Sequence, residues 1–309
     1  MSDKKRILAR LVVLLVSMFV LDFAVGTALK HFFFAKKTGF DARENYVINK
    51  ANEDVLIFGS SKASQHYDTR MISDSLKMSV YNAGRDLSYI HYHYALLQAV
   101  LKRYKPKLII LDTRANEFEK FEYGENLDRL NVLLPFYDSH PEIREVCLLR
   151  GKYEKFKLFS KTYPYNSLIL SGLVELLPLK RFKKDDSVNG YIAKYGQYKG
   201  SKPPYNVKDD VDTLAAEYYK KFVLACKEKN IQLVVAFSPL YQKIDPDKNR
   251  NVAYITKVCK ENNVPLFNYL VDDQFNNPKY FFDDRHLNRE GSVVYTNRII
   301  TQLRGVLKQ

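Results

Sequence analysis

Four stretches of this chain carry side chains suited to nucleophilic acyl chemistry. IFGSSKAS holds Ser60 and Ser61, YNAGRD holds Asn82 and Gly84, LDTRANEF holds Asn116, and FFDDRHLNREGS holds Asp283 and His286. A serine hydroxyl is a poor nucleophile at neutral pH until an imidazole takes its proton and a carboxylate fixes that imidazole's tautomer. Asp283-x-x-His286 offers both groups within one turn. The oxyanion of acyl transfer needs donors held in place. A glycine lets the backbone approach closely, an asparagine adds an amide donor, and each such donor is typically worth about 2.7 to 4 kcal/mol. Two choices stay open on residue types alone. Ser60 neighbours Ser61, and His66 lies close enough in sequence to be an alternative base.

The elements around these stretches predict how they are positioned. Short apolar, β-branched runs at 55–58, 79–82, 107–112, 231–237 and 264–269 alternate with amphipathic helical patterns at 68–77, 88–104, 211–230, 250–262 and 291–307, with Ser88 as the expected N-cap of the second helix. Such alternation predicts an α/β fold with a doubly wound parallel sheet, which binds ligands at the C-terminal ends of its strands. All four stretches fall at such ends or just before the last helix. Residues 118–205 break the alternation, with a basic cluster at Lys180, Arg181, Lys183 and Lys184 and a tyrosine-rich end; they are expected to be an insertion or cap over the site.

Taken together and in this order, the stretches resemble the blocks of the SGNH, or GDSL-like, hydrolase superfamily, across the sheet-forming parts of 55–118 and 208–307. The resemblance implies a three-layer α/β/α, flavodoxin-like domain. It makes Ser61 the nucleophile, His286 the general base and Asp283 its orienting carboxylate. The backbone N–H groups of Ser61 and Gly84 and the side chain of Asn116 would form the oxyanion hole. There are departures: the usual Gly-Asp-Ser is Gly59-Ser60-Ser61, and the third block is reduced to Arg114-Ala115-Asn116-Glu117, where Asn116 can instead cap a turn. Arg85 and Arg114, also after strand ends, are candidate bidentate clamps for an anionic substrate, or ordinary surface residues.

The N-terminus narrows the resemblance. Residues 11–29 form an apolar run interrupted only by Asp22 and preceded by Lys4, Lys5, Arg6 and Arg10. This predicts a membrane helix with a cytoplasmic N-terminus and an extracytoplasmic body. A cleaved signal peptide, using Ala24, Gly26 or Ala28, is the rival. Asp22 is expected near the outer interface or against another membrane protein. The expected organisation is therefore a tail and anchor at 1–30, a linker at 31–54 and the α/β domain at 55–309. An anchor joined to Gly-Ser-Ser is similar to the branch containing the teichoic-acid D-alanyl transfer and alginate O-acetylation proteins. That likeness implies esterase or O-acyltransferase chemistry on an acylated cell-envelope glycan or polymer, beside a membrane-bound O-acyltransferase as candidate partner. The competing expectation is a catalytically inactive envelope assembly protein with the same fold.

Composition excludes other classes. With 309 residues, 46% of them hydrophobic and 27% charged, the chain can bury a full core. A net charge of +14 favours anionic neighbours, yet no zinc-finger, helix-turn-helix or RNP pattern points to nucleic acid. No Walker loop or GxGxxG fingerprint supports a nucleotide cofactor, so no cofactor is expected. Cys147, Cys226 and Cys259 lack metal spacing, and Cys226 and Cys259, inside amphipathic helical stretches, read as small core residues. His91 and His93, two apart on one helix, cannot line one metal site and read as packing or surface residues.

Overall fold

The computed structural model describes residues 3–121, 124–167, 187–205 and 210–307; the basic cluster at 180–184 lies outside the described residues. The principal elements are α1 (Asp3–Ala35), α2 (Gly39–Asn49), β1 (Val55–Phe58), α3 (Ser61–His66), α4 (Thr69–Leu76), β2 (Val80–Asn82), α5 (Ile90–Arg103) and β3 (Leu108–Thr113). After short helical turns come α6 (Thr213–Glu228), β4 (Gln232–Phe237), α7 (Arg250–Glu261), β5 (Leu266–Asn268) and α8 (Arg289–Leu307). The chain divides into two compact units, one of residues 1–42 with 130–184, the other of residues 43–129 with 185–309.

The second unit is the α/β domain. Its five strands run parallel in the order β2-β1-β3-β4-β5, so the chain reverses its direction of winding between β1 and β3. Each strand is short and apolar because both faces of the sheet are covered. Val55 and Ile57 pack with Ile110, Val234, Ile72 of α4 and Tyr295 and Ile299 of α8. Alternate residues face the other way, where Phe58 meets Phe222 of α6 at 5.6 Å between ring centroids. Helix starts are written in side chains. Asp68 accepts from Arg70 N–H at 3.0 Å, Asp212 from Leu214 N–H at 2.9 Å and Asn249 from Val252 N–H at 2.9 Å. Each such cap is worth about 1 kcal/mol.

Two local expectations are corrected. Ser88 does not cap the helix after β2. Its hydroxyl closes a turn onto the Arg85 carbonyl at 2.6 Å, and α5 starts two residues later with Tyr89 as its cap. The stretch expected as a linker also holds helix. α1 continues to Ala35, and α2 buries Glu44, Val47 and Ile48. Arg103 secures the end of α2 by donating to the carbonyls of Val47, Ile48 and Ala51, each at 2.8 Å. A polar, weakly patterned sequence hides this because the bonds closing it come from α5.

The first unit is built on α1. Side chains from Ile7 to Phe23 are largely exposed, whereas Gly26 and Phe33 are buried. Phe33 packs edge-on against Phe136 at 5.6 Å. Asp22 accepts from the Ser160 hydroxyl at 2.6 Å and from the Lys161 N–H at 2.7 Å. Part of the insertion, from residue 130, thus belongs to this unit, while residues 187–205 belong to the α/β domain.

Candidate active site

β1 ends at Phe58, and the chain must turn at once into α3. Gly59 makes this possible: its φ is +143°, and a Cβ there would lie 2.5 Å from the Asp112 carbonyl oxygen of β3. Ser60 follows as the N-cap of α3 with its hydroxyl buried and without a hydrogen-bond partner among the described residues. Ser61 opens the helix, half-buried, and its Oγ lies 2.7 Å from His286 Nε2. His286 Nδ1 lies 2.9 Å from both oxygens of Asp283. Of the two serines, Ser61 is the one in line with an imidazole and a carboxylate.

Asp283 does more than meet the ring. Its Oδ1 also accepts the backbone N–H groups of Arg285 and His286, each at 2.8 Å, which fixes the turn carrying the histidine. Burial alone would raise this carboxyl, but bonding to His286 and the two N–H groups outweighs burial and holds it below the ordinary aspartate range. An ionised Asp283 keeps the Nδ1 proton in place and leaves Nε2 as an acceptor toward Ser61 Oγ.

His66, the alternative base, is placed otherwise. It closes α3, is fully buried, and its Nε2 accepts the Leu287 N–H at 2.9 Å. Its ring centroid lies 6.3 Å from that of His286. Burial, helped by the charge of Lys62, holds it well below the usual imidazole range, so it is neutral near pH 7. One short helix therefore carries Ser61 at its start and, at its end, a ring that fixes the backbone beside His286. The same loop is braced by Asn288, whose Oδ1 accepts the Gly291 N–H at 2.9 Å. Part of the insertion borders it too: Ile192 N–H donates to the Ser64 carbonyl at 2.7 Å and Arg289 N–H to the Lys194 carbonyl at 2.6 Å.

The remaining site residues of the sequence reading are engaged elsewhere. Gly84 N–H donates to Asn82 Oδ1 at 3.0 Å, while Asn82 Nδ2 donates to the Ala63 carbonyl at 2.7 Å, tying the second block to α3. Asn116 donates one amide proton to Glu119 at 2.8 Å. The Arg114 guanidinium is paired with Glu117 at 3.2 Å and lies 4.4 Å over the Tyr89 ring, so its fork is engaged inside the protein. Arg85 likewise faces the buried Glu44 at 3.6 Å. In both cases burial of a nearby carboxylate draws the guanidinium in, since an unpaired buried charge is costly. His91 and His93 are buried on α5, as packing residues.

Sequence reasoning missed a charged layer beneath the serine. Lys62 is buried, its Nζ 3.3 Å from the Ser238 carbonyl, and it shares this layer with Asp112. Burial lowers the lysine and raises the aspartate, each partly offset by the other's charge. Asp112 Oδ2 accepts the Tyr67 hydroxyl at 2.7 Å, and Tyr67 meets Tyr295 at 2.9 Å. An aspartate at the end of the apolar run LIILD was the available signal, because a carboxylate there needs a buried partner.

No family model and no curated protein matches the sequence. Among solved structures, this chain is similar to the acetyl xylan esterase AlAXEase, with 13% identity, coverage of 80% of this chain and 98% of that one, and a TM-score of 0.42. It is also similar to the psychrotrophic esterase EstA from Pseudoalteromonas sp., with 10% identity, coverage of 83% and 100%, and a TM-score of 0.38. A third, from Slackia heliotrinireducens and assigned to the SGNH hydrolases, has 11% identity, coverage of 81% and 97%, and a TM-score of 0.41. Identities this low leave the chemistry to be argued from the side chains themselves.

Proposed function

We propose that this chain is a membrane-anchored serine esterase or O-acyltransferase acting on ester-linked acyl groups of a cell-envelope glycan or polymer. The observation that carries the chemistry is the continuous line from Ser61 Oγ through His286 to Asp283. Ser61 Oγ attacks the acyl carbonyl as its proton passes to His286 Nε2. The tetrahedral oxyanion collapses, and the departing alcohol takes that proton, leaving an acyl-serine. Water or a sugar hydroxyl, deprotonated by the same nitrogen, then attacks the acyl carbon and releases Ser61. The choice of acceptor separates esterase from transferase.

For the oxyanion we assign the Ser61 N–H, which at the first position of α3 has no intrahelical partner, and the second amide proton of Asn116. Gly84 contributes only by sharing an N–H already given to Asn82. The anchor is α1: its 33 residues, its exposed apolar side chains and Lys4, Lys5, Arg6 and Arg10 at its start support a single span with a cytoplasmic N-terminus. A periplasmic or cell-surface body follows from that orientation.

The test is covalent. Wild-type protein should take up a serine-directed phosphonate and release acetate from an aryl ester, and Ser61→Ala should abolish labelling and lower kcat by about 10⁴-fold or more. Wild-type protein that stays unlabelled from neutral to mildly alkaline pH would show an assembly protein that has kept the fold without turnover. A reporter fused after Asn45 should read as extracytoplasmic.

A further inference from the structure

Residues 152–161 of the first unit bury an acid and expose three aromatic rings, with Leu158 alone among their large apolar side chains turned inward. In the helical turn Glu154–Lys157 and its flanks, the acid faces inward: Glu154 is 1% exposed, paired with Arg150 and accepting the Tyr163 hydroxyl at 2.6 Å. The aromatic residues face outward, with Tyr153 62%, Phe156 67% and Phe159 73% exposed. Lys152, Lys155, Lys157 and Lys161 alternate with them. Water gives no reason to bury a carboxylate while exposing two phenylalanines, so a different solvent is expected on that face.

The place of this turn along α1 names that solvent. From Ile7 to Val25 the helix exposes large apolar side chains, nineteen residues that rise roughly 28 Å, close to the thickness of a hydrocarbon core. Asp22 and Gly26 mark the end of that stretch, and there the turn attaches. Asp22 binds Ser160 and Lys161 at 2.6 and 2.7 Å, and Gly26 abuts the Lys161 backbone so closely that a Cβ would lie 2.3 Å from its carbonyl carbon. A groove of about 580 Å³ runs between them, walled by Met18, Leu21 and Val25 on one side and by Lys157, Thr162 and Asn166 on the other. One wall suits an acyl chain and the other a headgroup.

The geometry points to an interfacial lipid-binding element: Phe156 and Phe159 insert below the headgroups of the leaflet from which α1 emerges, and Lys152 and Lys155 beside them hold anionic phospholipids, while Lys157 and Lys161 pair with Glu154 and Asp138 at 3.4 and 2.8 Å. This rests on the spanning reading of α1. Aromatic rings at headgroup level, with lysines extending their charge to the surface, are the side chains a bilayer boundary selects. Anionic lipid supplies the complementary charge. Such a contact would fix the unit's height and rotation at the membrane, which one helix alone leaves free.

The full chain, reconstituted in vesicles of equal parts phosphatidylglycerol and phosphatidylcholine, tests this by spin labelling. The native cysteines are buried, so a single introduced cysteine takes the label. Labels at Phe156→Cys and Phe159→Cys should be relaxed by oxygen several-fold more than by a water-soluble nickel complex, with Lys227→Cys on the α/β domain showing the reverse. In vesicles of phosphatidylcholine alone the preference should weaken. Labels relaxed mainly by nickel would overturn the element while Leu15→Cys, still relaxed by oxygen, upholds the span. Nickel access at Leu15 as well would remove both. Labels shielded from both relaxants would mean a protein partner covers this face, which also overturns the assignment to lipid.

Discussion

In the α/β domain Phe58, Phe222 and Tyr295 are fully buried, whereas in the unit built on α1 the large apolar side chains from Ile7 to Phe23, and then Phe156 and Phe159, stand outside. Both units bury acids, Asp112 and Glu117 among those of the α/β domain, but the site loop keeps one partly open. Glu154 lies inside the helical unit with Arg150, and Asp283 stands partly open in the site loop beside His286. One sequence thus follows two rules for what is hidden, and the difference lies in the surroundings each unit is built for. The site needs solvent and substrate on its polar side. On the proposed reading of α1 as a membrane span, the helical unit needs its polar atoms matched within itself, because hydrocarbon offers no partners.

The largest effect that would sharpen this contrast comes from truncating one phenylalanine on each side. Phe222→Ala, which opens a cavity against Phe58, should cost about 3 to 5 kcal/mol in chemical denaturation of detergent-solubilised protein. Phe159→Ala should change the same transition by less than about 0.5 kcal/mol. Equal losses at the two positions would mean that Phe159 is a core residue and that the contrast is false.

A smaller effect should follow at the seam within the helical unit. Gly26→Ala forces a methyl into the Lys161 backbone, and an overpacked contact of that kind costs about 1 to 3 kcal/mol. Protease cleavage near residues 150–167 should then accelerate in reconstituted protein, while phosphonate labelling at Ser61 is unchanged. Unchanged cleavage would show that Asp22 alone holds the turn.

How much was legible in the sequence follows the same division. Strand-helix alternation needs only local periodicity, so the five strands and the helices α4 to α8 lay within a few residues of their expected places. Ser61, Asp283 and His286 stood out through the order and spacing of their blocks, a Gly-x-Ser directly after the first strand and an Asp-x-x-His shortly before the terminal helix. The engagement of Gly84, Arg85, Arg114 and Asn116 was not legible. Their partners Asn82, Glu44, Glu117 and Glu119 are ordinary polar residues whose importance comes from burial and proximity. The turn at 152–161 was equally silent, since its exposed aromatics and buried acid look like any mixed segment until the fold turns one set outward.

The smallest effect concerns how the α/β domain treats charge in its interior. His91 of α5 is buried against Tyr218, its ring centroid 5.0 Å away, and neither of its ring nitrogens has a hydrogen-bond partner among the described residues. Burial pushes it down to about 4, with the charge of Asp212 pulling the other way. An unfolded histidine titrates near ~6.5, so between these values the unfolded chain holds a proton that the folded chain refuses. Stability linked to His91 is therefore complete above about 6.5 and is lost as pH falls toward about 4, at up to ~1.4 kcal/mol per pH unit. His93, pushed down to about 3 by burial and then by the charge of Arg114, acts with the same sign. His91→Phe keeps the ring and removes the proton site. At pH 7 it should shift stability by less than about 1 kcal/mol, since no hydrogen bond is lost. Between pH 7 and 5 the variant should lose about 2 kcal/mol less than the wild type. Denaturation curves at both pH values decide it. Parallel losses would mean that His91 reaches a partner when protonated, and that this interior tolerates charge as the helical unit tolerates Glu154.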